Sequence, residues 1–350
     1  MSASLTILFV GPLYVGSTTE QRMRAFAALG HTILPVDIVP GELAARRLTL
    51  GWRVQRRLFG DRDESQANER LLAMLDAPAP DMVWIEKGLT IEPGTLAAMR
   101  ARWPHTRLVA FSPDDMFNPR NQSRQWRDGI GLYDLHVTTK TFNVSELRAA
   151  GARDVFYFDK GFSPEVHRPW PVTPERRAKF GGDVGFVGWP EAAREKSMRA
   201  LARHGIPVRI WGPWPKWKRS SNLLVEGRPL WDQEYAMALS SFRINLGFLR
   251  RVNRDRHTTR SIEIPACGGF LLAERTDEHL ALFREGVEAE FFGDDAELVA
   301  KAEYYLAHEE ERARIAAAGL ARCHEGGYDN HHRLSALLRY ALASRVAAAA

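Results

Sequence analysis

LTILFVGPLYVGSTTEQRMRAFAALGHTILPVDI, residues 5–38, decides the fold. Its first seven residues are an almost unbroken apolar run, the pattern of a strand covered on both faces of a parallel sheet. PLYVGSTTE (12–20) follows, rich in small and hydroxyl residues, and Ser17, Thr18 or Thr19 can cap a helix there. QRMRAFAALG (21–30) spaces its apolar residues at the helical period and ends in Gly30, a helix stop. HTILPVDI (31–38) is a second strand. Strand, small-residue loop, helix and strand in this order open a doubly wound α/β fold.

The pattern repeats. DMVWIEKG (81–88) and TRLVAFSPDD (106–115) are strands that end in charged loops, with GTLAAMRARW as the helix between them. LYDLHVTTK, FNVSELRAAG and DVFYFDKG continue as strand, helix and strand. The stretch 163–182 carries four prolines and then two glycines and reads as a linker. A second α/β series then starts with DVGFVGW (183–189) and runs through PVRIWG, RINLGF and GFLLAE to the helical HHRLSALLRYALASRV (331–346). The division expected is a first domain at 1–168, a linker at 169–182, a second domain at 183–330, and a last helix at 331–350. Two such domains suggest a ligand cleft between them, facing the carboxyl ends of the strands.

Bulk properties agree with this reading. A chain of 350 residues exceeds one ordinary core. Its 48 basic residues face 43 acidic ones, a net charge of +5, which is small for a dedicated nucleic-acid binder. The excess suits phosphate-bearing ligands or peripheral contact with an anionic membrane surface. Two cysteines, Cys267 and Cys323, make no disulfide framework and point to a reducing compartment. No run approaches the roughly 18 apolar residues of a membrane span, and no leader pattern precedes LTILFV. A soluble, cytoplasmic chain is expected.

The densest chemistry lies at 250–276. RRVNRDRHTTR (250–260) has five arginines in eleven residues, and RSIEIPACGG (260–269) sets one carboxylate, Glu263, on an apolar helix before a double glycine. Taken in order, DVGFVG, Arg194, VRIWG, INLGF, TRSIEIPACGGFLL, FREGVEAEFF, AELVAKAEYYL, ERARIAAAG and YDNHHRLSALL resemble the CgeB-like glycosyltransferases of the GT-B class over roughly residues 181–340. The first half resembles the class more loosely.

The resemblance implies a GT-B fold, two Rossmann-like domains facing each other across a cleft. The first would hold the acceptor and the second a nucleotide-sugar donor, with the C-terminal helix packing back toward the first. It implies transfer of a sugar from that donor to an acceptor of unknown identity, with no bound metal and no cofactor. Glu263 matches the glutamate that accepts hydrogen bonds from both ribose hydroxyls in related transferases, and charge-assisted bonds of this kind are the stronger ones. Thr259 and Arg260 would face the diphosphate, Arg260 by planar pairing. Gly268 and Gly269 permit a sharp turn. Arg194, Gly188, Trp211 and Gly212 complete the donor-binding set, and Gly16 in the first loop lets backbone approach the phosphates or the acceptor. Many retaining members carry a glutamate eight residues before the ribose-binding one; here that residue is Asp255.

On the acceptor side, SPDD ends a buried strand, and Asp115 is favoured as general base with Asp114 as its orienting or capping partner. Glu86 and Lys87 sit at another strand end. Trp214 and Trp217 in WGPWPKWK can form an aromatic wall for a base or sugar, or pack on the domain surface. His136, inside a strand, reads as a core histidine. DRDE (61–64) lies in a polar region and is no metal-binding triplet. Three rivals stand beside the transferase: a sugar-nucleotide epimerase on the same architecture, a non-catalytic sugar-nucleotide binder, and a nucleic-acid binder, which the modest charge disfavours.

Overall fold

The strand that opens the chain is β1 (Thr6–Gly11), and it pairs in parallel on both sides, with Ile7 level with Ile33 and Met82. The computed structural model describes residues 4–41, 49, 51, 52, 54, 55 and 60–349, with side chains to 343. The chain divides into two units, Met1–Asp159 with His331–Ala350, and Lys160–Asn330.

In the first unit β1 joins β2 (Thr32–Asp37), β3 (Met82–Glu86), β4 (Arg107–Ser112), β5 (Leu135–Thr138) and β6 (Val155–Tyr157) in the order β2-β1-β3-β4-β5-β6, all parallel. The sequence explains the order. β1, β3, β4 and β5 are buried almost throughout and fill the interior of the sheet, whereas β2 carries Pro35 and is buried only at Val36, as an edge strand tolerates. The helix Thr18–Ala28 starts where Ser17 Oγ accepts the Glu20 N–H at 3.1 Å. The last helix, Asn330–Ala349, places Leu334, Leu337, Leu338 and Ala341 in the apolar cluster of Ile7, Phe9, Trp84 and Phe111. Asp63 of DRDE accepts the Ala67 and Asn68 N–H groups at 2.8 Å each and so caps the helix Ala67–Ala73.

The second unit repeats the architecture with β7 (Gly182–Val187), β8 (Val208–Trp211), β9 (Leu223–Val225), β10 (Phe242–Gly247), β11 (Leu271–Glu274) and β12 (Glu290–Phe292) in the order β12-β11-β10-β7-β8-β9. One cluster of this unit includes Ile262, Ile264, Phe283 and Phe291, the other Phe186, Ile210, Leu272 and Ile315.

The expected linker and domain boundary shift. The division falls at Asp159 and Lys160, and 163–182 is part of the second unit. Phe162, Val166 and Phe180 join its apolar cluster, and Pro174 stands at the first turn of the helix Pro174–Phe180, where the Arg176 N–H donates to the Thr173 cap hydroxyl at 3.2 Å. Proline suits a helix start as well as a linker, and composition alone does not separate the two. Among the described residues no helix is long and apolar enough to cross a membrane.

Candidate functional site

The second unit gathers most of the sequence-predicted residues at the carboxyl ends of β7 and β8 and on the helix Arg260–Ala266. That helix is short because Pro265 lies inside it and Gly268, with φ +72°, closes it: the Gly268 N–H donates to Pro265 O at 2.8 Å and the Gly269 N–H to Ile264 O at 3.0 Å. A Cβ on Gly269 would meet Asn245 Nδ2 at 2.7 Å and Leu239 O at 2.8 Å. Both glycines therefore serve the turn and its packing. Arg260 Nε donates to Val187 O at 2.7 Å, and the arginine's Nη2 would stand 3.2 Å from a Cβ on Gly188. Thr259, half-buried, flanks the helix start and accepts the Glu263 N–H through its carbonyl at 2.8 Å.

Gly188 and Gly212 lock the two strand ends together. The Gly188 N–H donates to Trp211 O at 2.9 Å, and Gly212, with φ +144°, would place a Cβ 2.0 Å from Gly188 O. No side chain fits there, so only glycine allows this close approach of the two strand ends.

Arg194 stands behind them, 2% exposed. It donates to Trp189 O at 3.0 Å and Leu249 O at 3.1 Å, which ties the segments after β7 and β10, while its Nε makes no hydrogen bond. Burial first, and then the Arg260 charge, pull its pKa down to about 10, so it stays cationic at neutral pH. This arginine, expected in the donor-binding set, is thus buried and brackets two carbonyls. Trp211 is core, its indole N–H donating to Phe180 O at 3.0 Å. Of the two other tryptophans of WGPWPKWK, Trp214 is buried with its indole N–H donating to Gly188 O at 2.8 Å, and Trp217 is 79% exposed. Asp255 is spent on closing its own loop, accepting from Arg250 N at 3.3 Å and Asn253 Nδ2 at 3.0 Å.

Glu263 is 5% exposed. Tyr235 Oη donates to its Oε2 at 2.6 Å, and His167 Nε2 lies 3.8 Å from its Oε1. Sequence reasoning missed both partners. His167 lies in the stretch read as linker, and Tyr235 is one polar atom on an otherwise ordinary helix, Asp232–Ser241.

The remaining candidates belong to the first unit, at the carboxyl edge of its sheet. Gly16 takes φ +81° in the turn closed by the Ser17 N–H to Tyr14 O at 3.1 Å. Lys87 has φ +62°, a conformation non-glycine residues rarely hold, and its amine pairs with Asp114. Asp115 is buried, its Oδ1 accepting from Asn143 Nδ2 at 3.0 Å and Phe117 N at 3.1 Å. Asp115 thus anchors the loop, and Asp114 is the more accessible of the two. Glu86 is consumed by Arg22, at 2.8 and 2.7 Å, and by the Trp84 indole at 2.9 Å. His136 is core, its Nε2 on Ile130 O at 2.9 Å. Among the described residues no group of three or more His, Cys, Asp and Glu side chains could hold a metal ion.

This architecture is the GT-B glycosyltransferase fold. A glycosyltransferase from Rickettsia africae shares it with a TM-score of 0.66 at 11% identity, over 97% of this chain and 98% of that one. Anabaena HepE in complex with UDP and glucose shares it at 0.64 and 12% identity, over 96% and 100%. Sucrose-phosphate synthase from Thermosynechococcus elongatus shares it at 0.65 and 12% identity, over 97% and 100%. Residues 174–339 match the profile of a family described as glycosyl transferase-like. Sequence comparison with proteins of curated function gives no match.

Proposed function

We propose that this chain is a glycosyltransferase of the CgeB-like kind. It takes a nucleoside-diphosphate sugar on the second unit and passes the sugar to an acceptor held by the first. The observation that carries the reading is the apposition of Arg260 and Gly188, which sets a guanidinium beside the side-chain-free end of β7, with Glu263 one turn further along the same helix. The diphosphate lies against Arg260 and the bare backbone, and the ribose hydroxyls donate to Glu263. Arg260, with the buried charge of Arg194 behind it, stabilises the leaving diphosphate without a bound metal. HepE, with its UDP complex, supports a uridine donor as the first to test. On the first unit Asp114 is the group proposed to take the acceptor's proton, with Lys87 orienting it.

The test is calorimetric titration with UDP, GDP, ADP and CDP, followed by a transfer assay with and without a metal chelator. One of these is expected to bind, and Glu263→Ala to weaken it by roughly 2–4 kcal/mol, the worth of two hydrogen bonds to a charged group. No binding by any of the four, or equal affinity in Glu263→Ala, overturns the reading. Conversion of the sugar nucleotide with no acceptor present replaces the transferase by an epimerase.

A further inference from the structure

Glu263 is held between two rings. Tyr235 Oη donates to Oε2 at 2.6 Å, and His167 Nε2 faces Oε1 at 3.8 Å. The rings pack edge to face on each other, centroids 5.8 Å apart and planes at 87°, so neither turns alone. The imidazole is pinned by its own turn: the His167 backbone N–H donates to Ser163 O at 2.7 Å, and the Ser163 N–H donates to His167 Nδ1 at 3.1 Å. Nδ1 is therefore the acceptor, and in the neutral ring the proton sits on Nε2, the nitrogen that faces the carboxylate. Burial pushes the Tyr235 hydroxyl up and the His167 imidazole down, which keeps the phenol O–H and a neutral ring in place.

We propose that Tyr235 and His167 are positioning residues that hold the Glu263 carboxylate for the ribose diol and so set the preference for ribonucleotides over deoxyribonucleotides. This rests on the reading of Glu263 as the ribose ligand. A carboxylate offers about four lone-pair directions. Tyr235 takes one on Oε2. The His167 N–H, at 3.8 Å too far for a hydrogen bond, limits how the other oxygen turns. The directions left over are fixed before a ligand arrives, so the diol binds without first ordering the side chain. A purely structural pair, present only to satisfy a buried carboxylate, affects stability but treats ribose and 2′-deoxyribose ligands alike.

The experiment measures affinities of the full chain for UDP, GDP, ADP and CDP, and then for the 2′-deoxy counterpart of the tightest. One hydrogen bond to a charged group predicts a ribo-to-deoxy preference of roughly ten- to a hundredfold in the wild type, which Glu263→Gln largely removes. Tyr235→Phe and His167→Leu are each expected to lower the preference several-fold, with the ribo ligand losing more affinity than the deoxy ligand, whose 3′-hydroxyl alone still meets Glu263. His167→Gln, whose amide nitrogen can stand near the place of Nε2, is expected to restore it. If Tyr235→Phe fails to fold, the His167→Leu and His167→Gln pair decides. If Glu263→Gln lowers the preference but the Tyr235 and His167 variants keep it, or weaken both ligands equally, the positioning role is overturned and the ribose reading stands. If Glu263→Gln keeps the preference, or none of the four diphosphates binds, the ribose reading fails and takes this inference with it.

Discussion

Gly212 has no room for even a methyl group. An alanine there puts Cβ 2.0 Å from Gly188 O at a φ of +144°. Gly212→Ala is expected to cost at least about 2–3 kcal/mol, the range for forced backbone strain, and to weaken nucleotide binding with it. Urea unfolding and calorimetry of the same variant check both. Arg194 makes the complementary case. Lysine keeps the charge but cannot reach two carbonyls with a planar fork. Arg194→Lys is expected to destabilise the second unit by roughly 1–3 kcal/mol through the lost bonds to Trp189 O and Leu249 O. Unchanged urea unfolding of this variant removes the bracket role. The sequence marks Arg194 as a basic residue after a strand; whether its fork meets ligand or backbone depends on Leu249, far along the chain.

At the level of elements, the segment after β4 separates two adjacent carboxylates by what they touch. Asp115→Ala leaves Asn143 Nδ2 and Phe117 N short of an acceptor and is expected to cost roughly 1–3 kcal/mol of stability. Asp114→Asn alters a partly exposed pair with Lys87 and is expected to change stability by less than about 1 kcal/mol. If Asp114 is the base, transfer falls by about 10²–10⁴ in Asp114→Asn while donor affinity holds. Unfolding curves and a transfer assay on the two variants give the answer, and near-normal transfer in Asp114→Asn removes it from the mechanism. The strands themselves were readable, because continuous apolar runs such as TILFVG and MVWIE have few other ways to be buried. The helix Pro174–Phe180 was not, because its prolines look the same in a linker as at a helix start. Glu263 is picked out as a candidate by the block around it. Tyr235 and His167 are not, because their contact with it depends on tertiary packing rather than on any local pattern.

Over the whole molecule, both units bury histidines in surroundings that disfavour the imidazolium. Burial lowers the pKa of His31 and His136 in the first unit and of His167 and His279 in the second, His279 to about 4. In the unfolded chain these rings take up protons near pH 6.5, so the unfolded state binds more protons between that pH and the folded value. Their stabilisation is complete above about pH 6.5 and is lost as pH falls toward 4, with His279 alone contributing on the order of 3 kcal/mol. Calorimetric melting between pH 7.5 and 4.5 is expected to show a falling midpoint, and His279→Gln to flatten the slope; a flat profile in the wild type contradicts it. The last helix has a consequence of another kind. Leu334, Leu337, Leu338 and Ala341 belong to the cluster of β1, β3 and β4, yet they are made after the whole of Lys160–Asn330. Domains usually fold in order of synthesis, the N-terminal one first. Here the continuous second unit can close while the first, begun before it on the ribosome, still waits for four of its core side chains. The part made first is thus finished last, and during translation it is the part that leaves apolar surface open to chaperones.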